Sequence, residues 1–316
     1  MCIIFMDKSE IGSYVKAGDI AKQVKEFARE LIEPGMKLID IAEGIDAKIL
    51  ELGGEFGFPV GLGLNEVAAH FTPAPGCEEV AEGILKIDVG VAVDGFIADT
   101  AFSIDLTEDG KYKDMIEFNK KVLAAASEVI RSGMKVSDIG DAVADFVLEE
   151  GSEEFVVVQA LCGHSLAHNT IHTAPSVSNH RNKNGHVFDD NAFAVEPFVS
   201  MGTGEIVEGK AGGIFVLKGK GAVRDRDARK VVDYVREKFE GRPFCLRYLV
   251  RGVRDEELDV EEKKLKFALS TLVRSGVFYE YPILLEGSRG VVSQFENTFV
   301  VSDGRVICTT KDSSNL

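Results

Sequence analysis

Apolar side chains recur at helical spacing over residues 9–32, at Ile20, Val24, Phe27, Ala28 and Leu31, and Pro34-Gly35 stops the run. Residues 36–52 repeat the pattern and predict a second helix, with Asp40 as its cap and Gly53-Gly54 beyond its end. The period then changes to that of strand. Residues 84–104 hold two apolar, β-branched runs on either side of Asp94-Gly95, a dipeptide that favours a two-residue turn at positive φ, so they predict a β-hairpin. With Val93 opposite Phe96, Asp88 stands opposite Ala101 and Asp99 opposite Gly90, diagonal neighbours on one face. The other face, with Ile87, Val89, Val91, Phe96 and Ala98, reads as core.

Further on, residues 111–150 predict another helix pair, 193–199 a strand in which Pro197 must take an edge or end position, and 291–301 a strand with Glu296 inside it. Residues 228–239 and 261–273 read as amphipathic helices around Gly241-Arg242-Pro243, between the strand regions 213–217 and 277–285. Residues 224–275 are therefore expected to form an inserted helical subdomain resembling a winged helix, with 1–223 and 276–316 making the main domain. The charge of the insert is mixed rather than basic, which disfavours specific nucleic-acid binding.

The two helix pairs are related. Residues 30–53 aligned without gaps on 128–151 are identical at ten of twenty-four positions, including Gly35-Met36-Lys37, Asp40-Ile41, Leu50-Glu51 and Gly53, all at an offset of 98. An internal duplication follows, and two copies suit two pseudo-symmetric halves packed into one domain rather than a solenoid.

Composition narrows the class without deciding it. A chain of 316 residues can bury a large core, and a formal charge of −16 with an isoelectric point near 4.9 works against adhesion to nucleic acid or anionic membrane. No apolar run is long enough to span a bilayer, and the first six residues lack the basic start of a signal peptide. Five scattered cysteines without a CxxC read as reduced thiols in a cytoplasmic protein.

Chemistry enters with acids placed where acids are costly. Asp88 and Asp99 share their hairpin face with Gly90, Ala92 and Ala101, whose small side chains leave room for a shared object. Buried together without a cation the two would repel, so a metal accounts for them economically, and an aspartate pair on a solvated face is the plainer alternative. Glu196 and Glu296 each sit in an apolar run, where an unpaired carboxylate costs several kcal/mol. His164, His168 and His172 have helical spacing, but Gly163, Asn169 and Thr170 are poor helix formers, so that segment reads as strand and loop. Asp88, Asp99, His164, Glu196 and Glu296 together make a donor set for two divalent first-row metals, too rich in nitrogen for calcium and without the thiolates of structural zinc. Two such ions, bridged by carboxylates, belong to hydrolytic chemistry, and His70 and His172 remain free to stabilise a developing oxyanion.

These motifs resemble methionine aminopeptidase, type 2 and archaeal-like, of the pita-bread fold. The resemblance rests on Phe58-Pro59, Asn65, Ala68-Ala69-His70-Phe71-Thr72-Pro73, Asp88 and Asp99 eleven apart, Gly163-His164, Ile171-His172, Glu196-Pro197, Tyr281-Pro282 and Gln294-Phe295-Glu296, and it spans nearly the whole chain. It implies an α+β fold of two pseudo-symmetric halves around a curved antiparallel sheet, and two divalent ions (Co, Mn, Fe or Zn). Asp88 would chelate one metal, Asp99 and Glu296 would bridge both, and His164 and Glu196 would complete the set. Glu196 would also relay a proton, His70 and His172 would position the scissile peptide, and Phe58, Ile171 and Tyr281 would line the methionine pocket. The implied reaction removes amino-terminal methionine before a small residue, from nascent polypeptides, by a cytoplasmic monomer in transient contact with the ribosome. The chain's own Met1-Cys2 would qualify as a substrate. Asn297 departs from the family, which commonly has a histidine there, and the segment 167–169 is unusual. Prolidase and aminopeptidase P share the implied fold but usually carry a separate domain before it, for which the early first helix leaves no space. A non-catalytic ribosome- or RNA-binding relative would be expected to lose metal ligands that are all present here.

Overall fold

The computed structural model describes residues 6–219 and 223–311, so Met1-Cys2 lies outside it. Helix α1 (Lys8–Leu31) starts where Asp7 accepts hydrogen bonds from the Ser9 and Glu10 amides while the Glu10 side chain bonds back to the Asp7 amide, a reciprocal cap. Helix α2 (Leu38–Glu51) is not capped by Asp40, which lies inside its first turn. The chain enters α2 through a β-bridge between Lys37 and Val80, and the Leu38 amide donates to the Glu79 carbonyl at 2.9 Å, so no side-chain cap is needed.

The hairpin strands Ile84–Val93 and Phe96–Asp105 pair antiparallel over their full length, with Asp94 and Gly95 at φ of 51° and 77° making the turn. Asp88 pairs with Ala101 and Asp99 with Gly90, the register expected from the sequence. Ile87, Val89, Val91, Ala98 and Phe102 on one face join Ala17, Ala21, Val24, Ile41 and Ile45 of α1 and α2 in the main core. Phe96 is the exception, half-buried at the hairpin tip against the edge of Tyr14.

The duplication is structural as well as textual. Helices α2 and α4 (Ser137–Glu150) are both fourteen residues long. Each is entered through a Gly-Met-Lys segment whose glycine has positive φ, 83° at Gly35 and 76° at Gly133, and whose lysine pairs antiparallel with a later strand segment. Helix α3 (Lys113–Glu128) packs beside α4 as α1 does beside α2.

Two antiparallel sheets meet at the centre. One comprises the hairpin with Gly61–Leu64 and Glu55–Phe56, and the other runs Arg305–Cys308, Asn297–Ser302, Asn191–Val195, Cys162–Ala167, Thr170–Ser178. Among the described residues a single bridge joins them, between Ala101 and Glu296. Both strands expected to carry a glutamate are broken at it. The chain leaves Asn191–Val195, passes Glu196-Pro197 and resumes as Phe198–Ser200 in a different sheet, and Val292–Gln294 is likewise separated from Asn297–Ser302 by Phe295-Glu296. Pro197 has no amide to give a ladder, and its carbonyl instead accepts from Phe295 N and Asn119 Nδ2.

The strand Ile206–Leu217 is longer than the expected 213–217, with register shifts near Ala211, and pairs with Phe278–Glu286. Between them lie α5 (Arg226–Phe239), α6 (Leu246–Arg254) and α7 (Leu265–Arg274), around an apolar cluster of their own. Helix α6 is absent from the sequence expectation, since Gly252 and three arginines in nine residues hide its short apolar stripe. Among the described residues no helix is long and apolar enough to cross a membrane.

Helix α1 offers a paired test of packing. A Cβ at buried Gly18 would collide with the Thr309 backbone, whereas one at exposed Gly12 meets nothing within 4 Å. Gly18→Ala is expected to destabilise the protein by about 1–3 kcal/mol, and Gly12→Ala to stabilise it by about 0.5–1 kcal/mol, both read by urea unfolding.

Candidate metal centre

The second face of the hairpin and the two strand breaks border a cavity of about 540 Å³. Phe58, His70, Asp88, Asp99, His164, Ile171, His172, Glu196 and Tyr281 all line it. Glu296, 2 % exposed, belongs to the same cluster of donors. His168 does not join them. Strand alternation places His164 and His172 on paired strands with ring centroids 4.3 Å apart, while His168 sits in the intervening turn against Phe96.

Each donor is fixed by local structure. Asp88 and Asp99 are held by the hairpin register, and His164 by the strand Cys162–Ala167. At the sheet junction the Glu296 amide donates to the Ala101 carbonyl at 3.0 Å, and Thr100 Oγ1 donates to the Glu296 carbonyl at 2.8 Å. Thr298 Oγ1 accepts from the Asp99 amide at 2.8 Å and donates to the Asp99 carbonyl at 2.7 Å. Two acids nearly two hundred residues apart are thereby sewn together. Glycines make the space: a Cβ at Gly90 would collide with the Phe58 ring, and one at Gly61 would come 3.1 Å from Asp88 Cβ.

Two overlapping groups result. Asp99, His164 and Glu296 each offer a ligand atom within 4.8 Å of the others, and so do Asp88, Glu196 and Glu296. The first group is buried, whereas Asp88 and Glu196 in the second are half-buried. His164 Nε2 lies 3.5 Å from Asp99 Oδ2, and its Nδ1 makes a long contact of 3.4 Å with the Ser165 carbonyl, so an Nδ1–H tautomer leaves the Nε2 lone pair facing the acids.

Three polar side chains that sequence reasoning gave no role hold this set in place. Gln294 Nε2 donates to Glu196 Oε1 at 2.9 Å and to Asp88 Oδ2 at 3.3 Å. Asn179 Nδ2 donates to the Glu196 carbonyl at 2.8 Å. Thr298 is the third. The available signal was period-two spacing, since Gln294 and Thr298 each stand two residues from Glu296.

The electrostatics fit a cation. Burial, followed by mutual repulsion, drives Asp99, Glu196 and Glu296 well above the ordinary carboxyl range, and burial, eased by the Gln294 amide, pushes Asp88 up to about 7. Asp88 Oδ1, Asp99 Oδ1 and both carboxylate oxygens of Glu296 are buried with no hydrogen-bond partner. Such atoms are costly unless something positive completes them. Burial also lowers the three cavity histidines, His164 to about 3 and His70 to about 4, each aided by neighbouring His172, so all are neutral at pH 7 and free to ligate or to donate one hydrogen bond. The oxygen and imidazole donors suit divalent first-row metal ions.

A sequence model described as metallopeptidase family M24 matches residues 13–302. A methionine aminopeptidase of Thermococcus onnurineus is 39 % identical over 311 residues, covering 96 % of this chain and 100 % of that one. Among solved structures, that of a thermophilic Arx1 superposes with a TM-score of 0.78 at 17 % identity, covering 96 % of this chain and 91 % of the other. A methionine aminopeptidase of Thermotoga maritima gives 0.66 at 19 % identity, with coverage of 98 % and 99 %. The structural likenesses bear on fold, and with the antiparallel sheets and paired helices described above they make this the pita-bread architecture.

The raised carboxyl of Asp88 has a measurable signature in metal-free protein. The native state keeps a proton on Asp88 up to about 7 that the unfolded chain releases near 3.8, so native stability falls as pH rises through that window. In EDTA, the stability of Asp88→Asn relative to the unsubstituted protein is therefore expected to rise between pH 4 and pH 7, by about 1.4 kcal/mol per pH unit at most. Saturating Mn(II) should reverse the order at pH 7, because the ion binds the deprotonated carboxylate. Thermal melts across pH, with and without metal, check both.

Proposed function

The chain belongs to metallopeptidase family M24, and from that membership and its full-length relatives we infer that it is a metal-dependent aminopeptidase that removes amino-terminal methionine. The observation that carries this reading at the level of the site is the cluster of buried, unpartnered carboxylate oxygens facing a cavity of about 540 Å³, large enough for a methionine side chain and the peptide bond that follows.

Asp88, Asp99, His164, Glu196 and Glu296 would hold two divalent ions, Co, Mn, Fe or Zn, with Glu296 common to both groups of donors. Bound there, the ions supply Lewis acidity that lowers the pKa of water and polarises a carbonyl. The remaining work falls to the chain itself. Glu196, its Oε1 fixed by Gln294, accepts the proton of the attacking water and returns it to the leaving amine. His70 and His172, neutral through burial, donate hydrogen bonds to the oxyanion as it forms. Phe58 and Ile171, both nearly buried, and half-buried Tyr281 receive the methionine side chain, and the tilted packing of His70 on Tyr281 at 5.3 Å ties that pocket to the donor beside it. On the same reading the second residue of the substrate is small, as the family resemblance implies. The inserted segment 224–275 suits the archaeal type 2 form, as does the likeness to the archaeal relative. The substrates on this reading are nascent polypeptide amino termini, met in the cytoplasm by a monomer in transient contact with the ribosome.

The test is release of methionine from Met-Ala-Ser. EDTA-treated protein should be inactive and Mn(II) or Co(II) should restore activity, and no release in either metal overturns the reading. Glu196→Gln should lower kcat by about 10²–10⁴-fold. Metal counting by plasma mass spectrometry after gel filtration should find that Glu296→Gln loses more metal than Asp88→Asn, because Glu296 serves both groups and Asp88 only one.

A further inference from the structure

Outside the metal centre, the described residues hold one deeply buried ionic knot, and it joins the insert to the cavity. Asp46 of α2 is wholly buried, and Arg247 and Tyr248 at the start of α6 are 5 % and 2 % exposed. Arg247 Nε donates to Asp46 Oδ2 at 3.0 Å, and Tyr248 Oη lies 3.1 Å from Asp46 Oδ1. A charged pair so far from water is expensive, so its geometry is closely constrained.

The knot has two arms. Arg247 Nη1 donates to Thr72 Oγ1 at 2.8 Å and to the Pro73 carbonyl, and Thr72 Oγ1 in turn donates to the Val60 carbonyl at 2.7 Å. Thr72 stands two residues beyond His70, which itself sits at φ 63° with its carbonyl packed so closely on Gly212 that a Cβ there would collide. Tyr248 Oη also lies 3.3 Å from the Phe58 carbonyl, so one hydroxyl proton serves two acceptors, and Phe58 lines the cavity. The Tyr248 ring stacks on Phe56 at 4.0 Å between centroids, which fixes the hydroxyl's direction.

We propose that Arg247 and Tyr248 are positioning residues through which the insert sets the active cavity, Arg247 holding the loop that carries His70 and Tyr248 holding the backbone of Phe58. Neither touches the cavity contents. Their effects should separate, because His70 acts on the oxyanion and Phe58 on the methionine side chain.

The kinetic arm of the test rests on the proposed function; the structural arm does not. Tyr248→Phe keeps the ring and deletes the hydroxyl, and is expected to raise KM for Met-Ala-Ser by about 2- to 10-fold with kcat unchanged. Arg247→Gln is expected to lower kcat by about 10- to 100-fold with KM within about twofold, the scale of a small displacement of a reacting group. Arg247→Lys, which keeps the charge at Asp46, should recover part of the loss. All are compared at equal metal content and below their unfolding temperatures. If the folded variants keep both kcat and KM while only Tm falls, the knot is merely structural and the proposal is overturned. Should Arg247→Gln fail to fold, Tyr248→Phe and Arg247→Lys decide it alone. Crystal structures of the variants give the independent arm: displacement of the Phe58 carbonyl or of the His70 loop supports the proposal, and unmoved positions overturn it. Failure of the unsubstituted protein to release methionine would count against the proposed function and leave this arm intact.

Discussion

Four carboxyl groups gathered within a few ångströms inside a protein cannot all ionise at neutral pH on their own. Burial, with mutual repulsion beside it, holds protons on Asp99, Glu196 and Glu296, and burial pushes Asp88 up to about 7; the Gln294 amide opposes this at Asp88 and Glu196, and the Thr100 backbone at Asp99. The fold is arranged to keep this unfavourable cluster together until positive charge arrives. The hairpin register places two acids, the interrupted strands place two more, and the Ala101–Glu296 bridge with the Thr298 and Thr100 hydrogen bonds locks the halves in contact. The same confinement that disfavours the metal-free state creates the demand for cations.

Much of this was legible in the sequence, for physical reasons that differ from element to element. The hairpin could be read because Asp-Gly specifies a turn type and alternation then fixes the register of ten pairs. The duplication could be read because both copies need a positive-φ glycine before a helix entered from a β-bridge. The acids stood out because carboxylates are rare in apolar runs. What could not be read were events that depend on distant partners. The breaks at Glu196 and Glu296 look continuous in sequence, since apolar residues flank both sides, and only the change of sheet shows them. The absence of a cap on α2 follows from an amide satisfied by Glu79, forty-one positions from Leu38. Asp46 and Arg247 meet across 201 residues, and each alone reads as an ordinary surface charge.

The insert is therefore more than an appendage. It has its own apolar cluster, yet its strand segment Phe244–Cys245 continues a sheet that also includes Val67–Ala69, next to His70, and its α6 carries the buried arginine. Desolvating Arg247 and Asp46 brings little net stability by the usual measure of buried pairs, so their value lies in specifying one geometry where apolar contact would tolerate several.

Because Glu296 serves both groups of donors, the order of biosynthesis matters. Asp88 leaves the ribosome first, and its completing partner follows 208 residues later. At about 5–20 residues per second that interval is about 10–40 s, during which the strands Cys162–Ala167, Thr170–Ser178 and Asn191–Val195 are made but the hairpin still lacks Glu296 and the strand Asn297–Ser302 that follows it. Divalent metal is thus among the last things this protein can acquire, and a cell short of metal would accumulate chains that are fully translated before they are chemically competent.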